Sequence, residues 1–321
     1  IACIGLPFVF VYNVFANAMK AMGNSKIPTF FLALSAVINI ILDLIFVAVF
    51  RWGVAGASFA TVLAQVSTCI ITYIYVQITI VELRLGLKDM VVKKRLLIRT
   101  FKDGIISAIQ QAVPPLGRIL IIAKVNTLGV AAIAANGIIA RIDSFAILPA
   151  QNIGMGIMTY TAQSRGARRD DLIYDIFKKG FILEMGFAAI IFTILFFFKY
   201  DIMVFLSPRD SFEVIALGNS YLHIMSFGYF LVGIVNTLQC FFRGMGNMSL
   251  TLYSSIINIV IKVFIVYTFI DVLGFDAVAW GTIIGWIFMN AYGYAMHLYY
   301  KKHKWADIYV YPTKEQLDKY R

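Results

Sequence analysis

The sequence predicts an all-α polytopic membrane protein, and three observations lead to this fold class. First, 60% of the 321 residues are hydrophobic and 14% are charged, with a mean hydropathy of +0.81, which is more apolar surface than a soluble domain can bury. Second, apolar runs recur along the chain at or above the ~20 residues that a helix needs to cross a bilayer. Third, these runs are too long and too evenly apolar for barrel strands, so helices must pair the backbone groups.

Nine apolar runs are predicted as membrane-spanning helices. They cover 1–19, 27–50, 54–81, 104–127, 129–162, 180–198, 214–242, 248–270 and 277–300. None of them has the features of a cleavable signal peptide, which are a basic start and a small-residue cleavage site. The chain also has no zinc-protease, nucleophile-elbow or Walker motif, so we predict that it is not an enzyme.

The positive charge follows the predicted topology. The net charge is +11, and most of the 28 lysines and arginines fall in connections on one side of the predicted membrane. The opposite side carries Arg51, Lys199 and Arg209. By the positive-inside rule, the basic loops and the C-terminal tail are cytoplasmic. The charge therefore indicates contact with anionic membrane lipids, and we expect no nucleic-acid partner.

Cysteine and histidine usage predicts no metal site. Cys3, Cys69 and Cys240 lie within predicted spans without any CxxC spacing, and the three histidines are far apart. Cysteines in such positions are expected to be small apolar packing residues. We therefore expect no cofactor.

Three segments of the first spans recur, in the same order, in the last spans. SAVINIILDLIFV becomes SSIINIVIKVFIV, KAMGN becomes RGMGN, and FATVLA becomes WGTIIG. The matched pairs are 35–47 with 254–266, 20–24 with 243–247, and 59–64 with 280–285. Spans one to three thus repeat as spans seven to nine, and the even offset of six spans makes the repeat parallel.

This repeat predicts two lobes of six helices each. Because the chain begins inside an apolar run without a methionine, we expect it to hold nine of twelve helices: the last three of the N-lobe and all six of the C-lobe. The predicted parts are N-lobe helices at 1–81, a basic cytoplasmic linker at 82–103, the C-lobe at 104–300 and a cytoplasmic tail at 301–321.

A polar cluster is predicted in the first lobe. Asn39 and Asp43 are four residues apart and share one helix face. Thr61 on the next span lies at the same depth as Asp43, roughly 10–12 Å from the outer end at 1.5 Å per residue. Asn13 and Asn17 add amides on the preceding span.

Asp43 carries the functional prediction. A charge at the bilayer centre costs at least ~2.5–3.5 kcal/mol, so Asp43 should face a polar interior, where a carboxylate can bind a proton or sodium. The alternative is that Asp43 only hydrogen-bonds Asn39 or Thr61 and locks the hairpin.

The second lobe carries the opposite charge at the repeated position. Lys262 stands where the first lobe has Asp43, and Arg118, Arg141 and Asp143 lie at similar depth, roughly 12–21 Å from the outer end. Because unpaired charges there are costly, Asp143 should pair with one or more of the cations. Both a static charge network and a role in coupling or in a substrate cavity remain open.

Taken together, these motifs resemble the MATE (multidrug and toxic compound extrusion) transporters, in a bacterial branch of that family. The residues that carry the resemblance are GLPF at 5–8, YN at 12–13, KAMGNSKIP at 20–28, NIILD at 39–43, GVAGASFATVLAQ at 53–65, AANG at 134–137, ARID at 140–143 and QSRGA at 163–167. The resemblance covers nearly all of 1–300 and implies a two-lobed helical bundle.

The resemblance also implies site residues. Asn39, Asp43 and Thr61 match the family's first-lobe cation site, which additionally uses an aspartate on a helix absent from this chain. Some branches have second-lobe carboxylates in stretches that contain none here. Gln110 and Gln111 could instead contact substrate. Glu184 is expected near the cytoplasmic end, snorkelling or paired with a lysine at 178 or 179.

The function so implied is secondary-active antiport. A drug-like, often cationic, small molecule would leave in exchange for H⁺ or Na⁺, across a bacterial inner membrane, through a monomer without a cofactor. One alternative is a flippase of the same superfamily, for a lipid-linked oligosaccharide, since Arg118, Arg141 and Lys262 suit a pyrophosphate. The other is a membrane scaffold with no transport role.

Overall fold

The computed structural model describes residues 2–84, 94–207 and 211–302. The chain divides into two compact units, Ile1–Leu96 and Leu97–Arg321. The division falls within the segment predicted as a linker. The central part of that linker, 85–93, and nearly all of the predicted tail, 303–321, lie outside the described residues.

Unit 1 is a three-helix arrangement in which two helices pack on a third. Its elements are α1 (Ala2–Ala21), α2 (Lys26–Asp43), a π-helix (Leu44–Val49), α3 (Gly53–Thr79) and a 3₁₀ turn (Val81–Leu83). Both α1 and α2 pack mainly against α3. Their predicted identity as apolar spans is confirmed, since each is long and apolar enough to cross a membrane.

Unit 2 contains six long helices in its described part. They are α4 (Lys94–Val125), α5 (Val130–Gly166), α6 (Asp170–Leu206), α7 (Phe212–Gly244), α8 (Met248–Leu273) and α9 (Asp276–Lys302). Helix α7 packs against α5, α6 and α9, and α8 packs against α9. Helix α4 runs along α8, where the Tyr267 hydroxyl donates to the Leu120 carbonyl at 3.1 Å.

The nine predicted spans all correspond to helices, but the spans and the helices differ in two ways. Eight described helices are apolar and long enough to cross a membrane. The exception is α9, where Trp, Tyr, Gly and Asn lower the hydropathy. Helices α4 and α6 begin at Lys94 and Asp170, earlier than the predicted spans, and α4 takes in 94–103 of the predicted linker. Hydropathy marks the apolar part of a helix and misses charged turns that continue it.

The repeated MGN motif forms the same turn in both units. Gly23 and Gly246 have φ of 89° and 76°, a left-handed conformation that glycine adopts without a steric cost. The side chains of Asn24 and Asn247 each accept from the backbone N–H three residues on, at 3.3 and 3.4 Å. The glycine ends one helix and the asparagine caps the next, so both repeats turn the chain identically.

Replacing Gly244 by alanine should destabilise unit 2. A Cβ there would lie 2.7 Å from the Met158 carbonyl oxygen and 2.7 Å from the Thr161 Cβ. Because the oxygen belongs to the α5 backbone, the helices must separate, at a cost of about 1–3 kcal/mol. Scanning fluorimetry in detergent should show a lowered unfolding midpoint. Gly156→Ala on α5, where nothing lies within 4 Å, is the matched control, and equal midpoints for both variants would contradict this packing.

Candidate ion and substrate sites

Unit 1 has an open cavity of about 360 Å³ between its three helices. Polar groups on its wall come from Tyr12, Asn13, Asn39, Thr61 and Gln65. Asn39 Nδ2 donates to Thr61 Oγ1 at 3.4 Å, so α2 and α3 are joined at Asn39, one turn from Asp43, with which Thr61 was predicted to be level. The cavity thus offers amide and hydroxyl oxygens among apolar residues, as a small-molecule or cation site would.

Asp43 ends α2 close to this cavity but does not line it. Its side chain is partly buried, and its Oδ1 is buried without a hydrogen-bond partner among the described residues. The hairpin is locked by Asn39 and Thr61, and Asp43 takes no part in that contact. A buried carboxylate oxygen without a donor is costly, and a proton or a cation would satisfy it.

A π-helix begins directly after Asp43. Over Leu44–Val49 the chain widens its turn, and the Phe50 N–H donates to the Ile45 carbonyl at 2.9 Å, five residues back. Such segments are rare and are frequent at functional sites. The sequence did not predict this one, because LIFVAV is uniformly apolar and has no proline or glycine that would mark a change of helix type.

The two α1 asparagines are placed differently. Asn13 lines the cavity. Asn17, predicted beside it, is exposed and lies outside the lining. The helix explains this difference, because Asn17 is one turn further along α1 than the cavity extends.

Unit 2 has its own cavity of about 370 Å³, lined by α4, α5, α7, α8 and α9. Arg118, Asp143 and Lys262 all line it, so the structure brings together three of the four predicted charges. Arg141 is exposed and does not line the cavity. Each helical residue is rotated about 100° from the one before it, so Arg141 and Asp143, two positions apart, point about 160° apart and lie on opposite sides of α5.

Asp143 was predicted to pair with a cation, and this prediction is wrong, because its partner is a tyrosine. The Tyr229 hydroxyl donates to Asp143 Oδ1 at 2.5 Å, and neither Arg118, Arg141 nor Lys262 forms a salt bridge with it among the described residues. Tyr229 was missed because a tyrosine in an apolar run reads as an ordinary packing residue.

Tyr229→Phe should lower the stability of unit 2 by about 1.5–3 kcal/mol, the typical worth of a hydrogen bond to a charged group. The ring is buried and remains, so only the hydroxyl's bond to Asp143 is lost. The unfolding midpoint in detergent measures the effect. Tyr294→Phe on α9, whose tyrosine is 57% exposed, should leave the midpoint unchanged; a similar fall in both variants would argue against the bond.

The two glutamines of α4 have different environments. Gln110 is buried, and its Oε1 accepts from the Thr251 hydroxyl at 3.0 Å, which ties α4 to α8. Gln111 is exposed. Neither lines the unit 2 cavity. The structure therefore gives Gln110 a packing role and leaves its predicted substrate contact without support.

The prediction for Glu184 is wrong. Its side chain is fully buried (0% exposed), and Asn236 Nδ2 donates to Glu184 Oε1 at 2.6 Å. Its Oε2 is buried without a partner among the described residues. Lys179 pairs with Asp175 at 2.7 Å instead. Because α6 begins at Asp170, Glu184 lies several turns inside the helix, deeper than a snorkelling residue.

Comparison with known proteins places these two units in a family. A model of the MatE family matches residues 107–268, about half of the chain. The chain belongs to the MATE family. This MATE chain is 27% identical over 314 residues to the "Probable multidrug resistance protein YpnP" of Bacillus subtilis (strain 168), with 97% of the chain and 68% of the relative covered. It is 25% identical to "Probable multidrug resistance protein YoeA" of the same organism, covering 79% and 55%.

Solved structures agree in fold. The chain matches a MATE protein crystallised in a bent conformation with a TM-score of 0.84 at 19% identity, covering 91% of this chain and 65% of that one. At this identity the likeness shows the fold alone. The chain spans between 55% and 68% of the length of the curated relatives it matches.

Proposed function

We propose that this protein is a secondary-active multidrug efflux antiporter. It exports drug-like, often cationic, compounds in exchange for H⁺ or Na⁺. The observation that carries the proposal is Asp43: its buried oxygen lacks a partner, and it lies one turn from the Asn39–Thr61 contact on the cavity wall. The two Bacillus relatives are named as multidrug resistance proteins, which supports the same class of substrate.

The unit 1 cavity has walls suited to a flat organic cation. Val9 and Leu32 supply apolar surface, and the ring of Tyr12 supplies an aromatic face. The Tyr12 hydroxyl donates to the Pro28 carbonyl at 2.9 Å, which holds the ring in place. An aromatic face attracts a cation by about 0.5–2 kcal/mol, depending on how far the pair is desolvated.

Exchange follows if the drug and the coupling ion favour opposite conformations. A cation bound at Asp43 neutralises the carboxylate and shifts the population towards the state that binds it better. Inward movement of one charge through 100 mV supplies about 2.3 kcal/mol. That energy drives the drug outward when its binding and the ion's binding exclude each other.

We also propose the cellular setting. The protein lies in a bacterial inner membrane as a monomer. Its basic loops and C-terminus lie in the cytoplasm, because most of the lysines and arginines are on one side of the predicted topology.

Ethidium efflux from vesicles tests the function. The full-length protein is reconstituted, the vesicles are loaded with ethidium, and a proton or a sodium gradient is imposed separately. We expect efflux under at least one gradient and only leakage without one. No efflux under either gradient would refute the antiporter.

A flippase is the second candidate, favoured by Arg118 and Lys262 on the wall of the unit 2 cavity. The same vesicles distinguish it. Translocation of a fluorescent lipid-linked oligosaccharide, together with absent ethidium efflux, would establish the flippase in place of the antiporter.

A further inference from the structure

The unit 2 cavity carries positive charge that the described residues do not match. Arg118 and Lys262 both line it, and Asp143 is the one carboxylate among its lining residues. Asp143 already accepts from Tyr229. Neither cation has a hydrogen bond or salt bridge within the described part of the chain. Two cations against one carboxylate leave one positive charge unmatched.

Asn258 lies one turn from Lys262 on the same face of α8 and also lines the cavity. Its Nδ2 is buried without an acceptor among the described residues and lies against Gly285 of α9. Arg118 is exposed and Lys262 is partly buried, so the two cations present their charge to the cavity and the amide does not.

A neighbouring cation on the same helix as Arg118 is paired: Lys124 lies 3.4 Å from an Asp271 carboxylate oxygen. An unpaired charge within a membrane span is costly. Arg118 and Lys262 both line the cavity, so an anion bound there would neutralise them.

The internal repeat relates the charges of the two cavities. Asn258 and Lys262 occupy the positions that Asn39 and Asp43 occupy in unit 1. Thr282 donates to the carbonyl four residues before it, as Thr61 does. The same scaffold thus carries a carboxylate in unit 1 and an ammonium in unit 2, which changes a place for a cation into a place for an anion.

We propose that the unit 2 cavity binds an organic anion. Arg118 and Lys262 hold its phosphate or carboxylate group. Trp286 and the isoleucines of the wall, including Ile121 and Ile259, hold an aromatic or aliphatic body. The volume of about 370 Å³ falls within the range of small-molecule sites, roughly 300–1,000 Å³. This inference goes beyond the proposed export and does not depend on its coupling ion.

Three probes that share the naphthalene ring system and differ in charge test the proposal. Binding of 1-naphthyl phosphate, 1-naphthol and 1-naphthylmethylammonium to the full chain in neutral-lipid nanodiscs is measured by equilibrium dialysis. We expect the phosphate to bind at least tenfold more tightly than the other two. Equal binding of the three, or preference for the ammonium, overturns the proposal. No gradient is involved, so a failed efflux assay leaves this result unaffected.

Variants locate the binding. Lys262→Gln and Arg118→Gln should each weaken naphthyl phosphate binding at least tenfold, whereas Lys262→Arg should retain most of it. Lys124→Gln, which removes a cation outside the cavity, is the matched control. An unchanged affinity in the two glutamine variants would contradict the assignment. If either variant misfolds, Trp286→Ala on the cavity wall provides the second test, with an expected several-fold loss of naphthyl phosphate binding.

The anion can be a soluble molecule or the headgroup of a lipid. A further binding measurement, in nanodiscs of two lipid compositions, distinguishes these two sources. Nanodiscs containing phosphatidylglycerol are compared with neutral ones. If a headgroup fills the cavity, phosphatidylglycerol should weaken naphthyl phosphate binding by competition, and Lys262→Gln should abolish that competition. If the ligand is soluble, phosphatidylglycerol should lower binding only through the repulsion of its surface charge, by the same factor in both proteins. A larger reduction in Lys262→Gln than in the wild type would overturn the role of the cavity.

Discussion

Replacing Asp43 by asparagine is expected to abolish ion-driven drug export by the full-length protein. Asparagine has nearly the same shape and polarity but binds neither a proton nor the charge of a sodium ion at this position. The Asn39–Thr61 contact does not involve Asp43, so the hairpin should persist and the protein should still reach the membrane. Ethidium efflux under an imposed gradient should fall to the leak of protein-free vesicles.

The matched control is Asp175→Asn. Asp175 is an exposed carboxylate on α6, paired with Lys179 at 2.7 Å, and exposed pairs contribute little. This variant should export at the wild-type rate. Wild-type export by Asp43→Asn, at equal protein in the vesicles, would show that Asp43 does not couple the ion to the drug.

Removing the amide that faces Glu184 should cause the largest loss of stability in unit 2. Asn236 Nδ2 donates to Glu184 Oε1 at 2.6 Å and to the Ala150 carbonyl at 2.6 Å. In Asn236→Leu the Glu184 carboxyl is left buried without a donor among the described residues, which should cost about 3 kcal/mol. The Ala150 carbonyl, inside α5, keeps its helix hydrogen bond. Equilibrium unfolding by SDS in mixed micelles measures the change in free energy.

Two further variants, Glu184→Met and the double variant, show whether the loss comes from the contact between Asn236 and Glu184. Glu184→Met replaces the carboxyl by an apolar chain of similar size and should change stability by about 1 kcal/mol or less, since Asn236 keeps its bond to Ala150. The double variant should recover much of the loss seen in Asn236→Leu. Simple additivity of the two single changes would mean that the two side chains are not coupled.

The order and type of the elements were largely predictable from sequence. Apolar runs near bilayer length located every described long helix, because hydrocarbon solvent permits few alternatives. The MGN repeat also predicted equivalent local structure, and Gly23 and Gly246 adopt it. Helix ends were predicted less well, since the charged first turns of α4 and α6 continue the helix beyond the apolar part.

Contacts between helices that are consecutive in the sequence were predictable, and contacts between helices far apart in the sequence were not. Asn39 and Thr61 meet because a short hairpin fixes the relative depth of α2 and α3. Tyr229 is 86 residues from Asp143, and Asn236 is 52 residues from Glu184. Local spacing carries no information on such partners. The sequence predicted a cation partner for Asp143 and no buried partner for Glu184. The signal available for Glu184 was Asn236, an asparagine in an apolar run.

The most direct test of ion coupling measures cation release when a drug binds. Full-length protein in detergent is loaded with radioactive sodium, or held in weakly buffered solution with a pH indicator, and ethidium is then added. We predict that ethidium releases sodium or protons from the wild-type protein and releases neither from Asp43→Asn. Ethidium binding without release of either ion, or equal release from both proteins, would contradict the account.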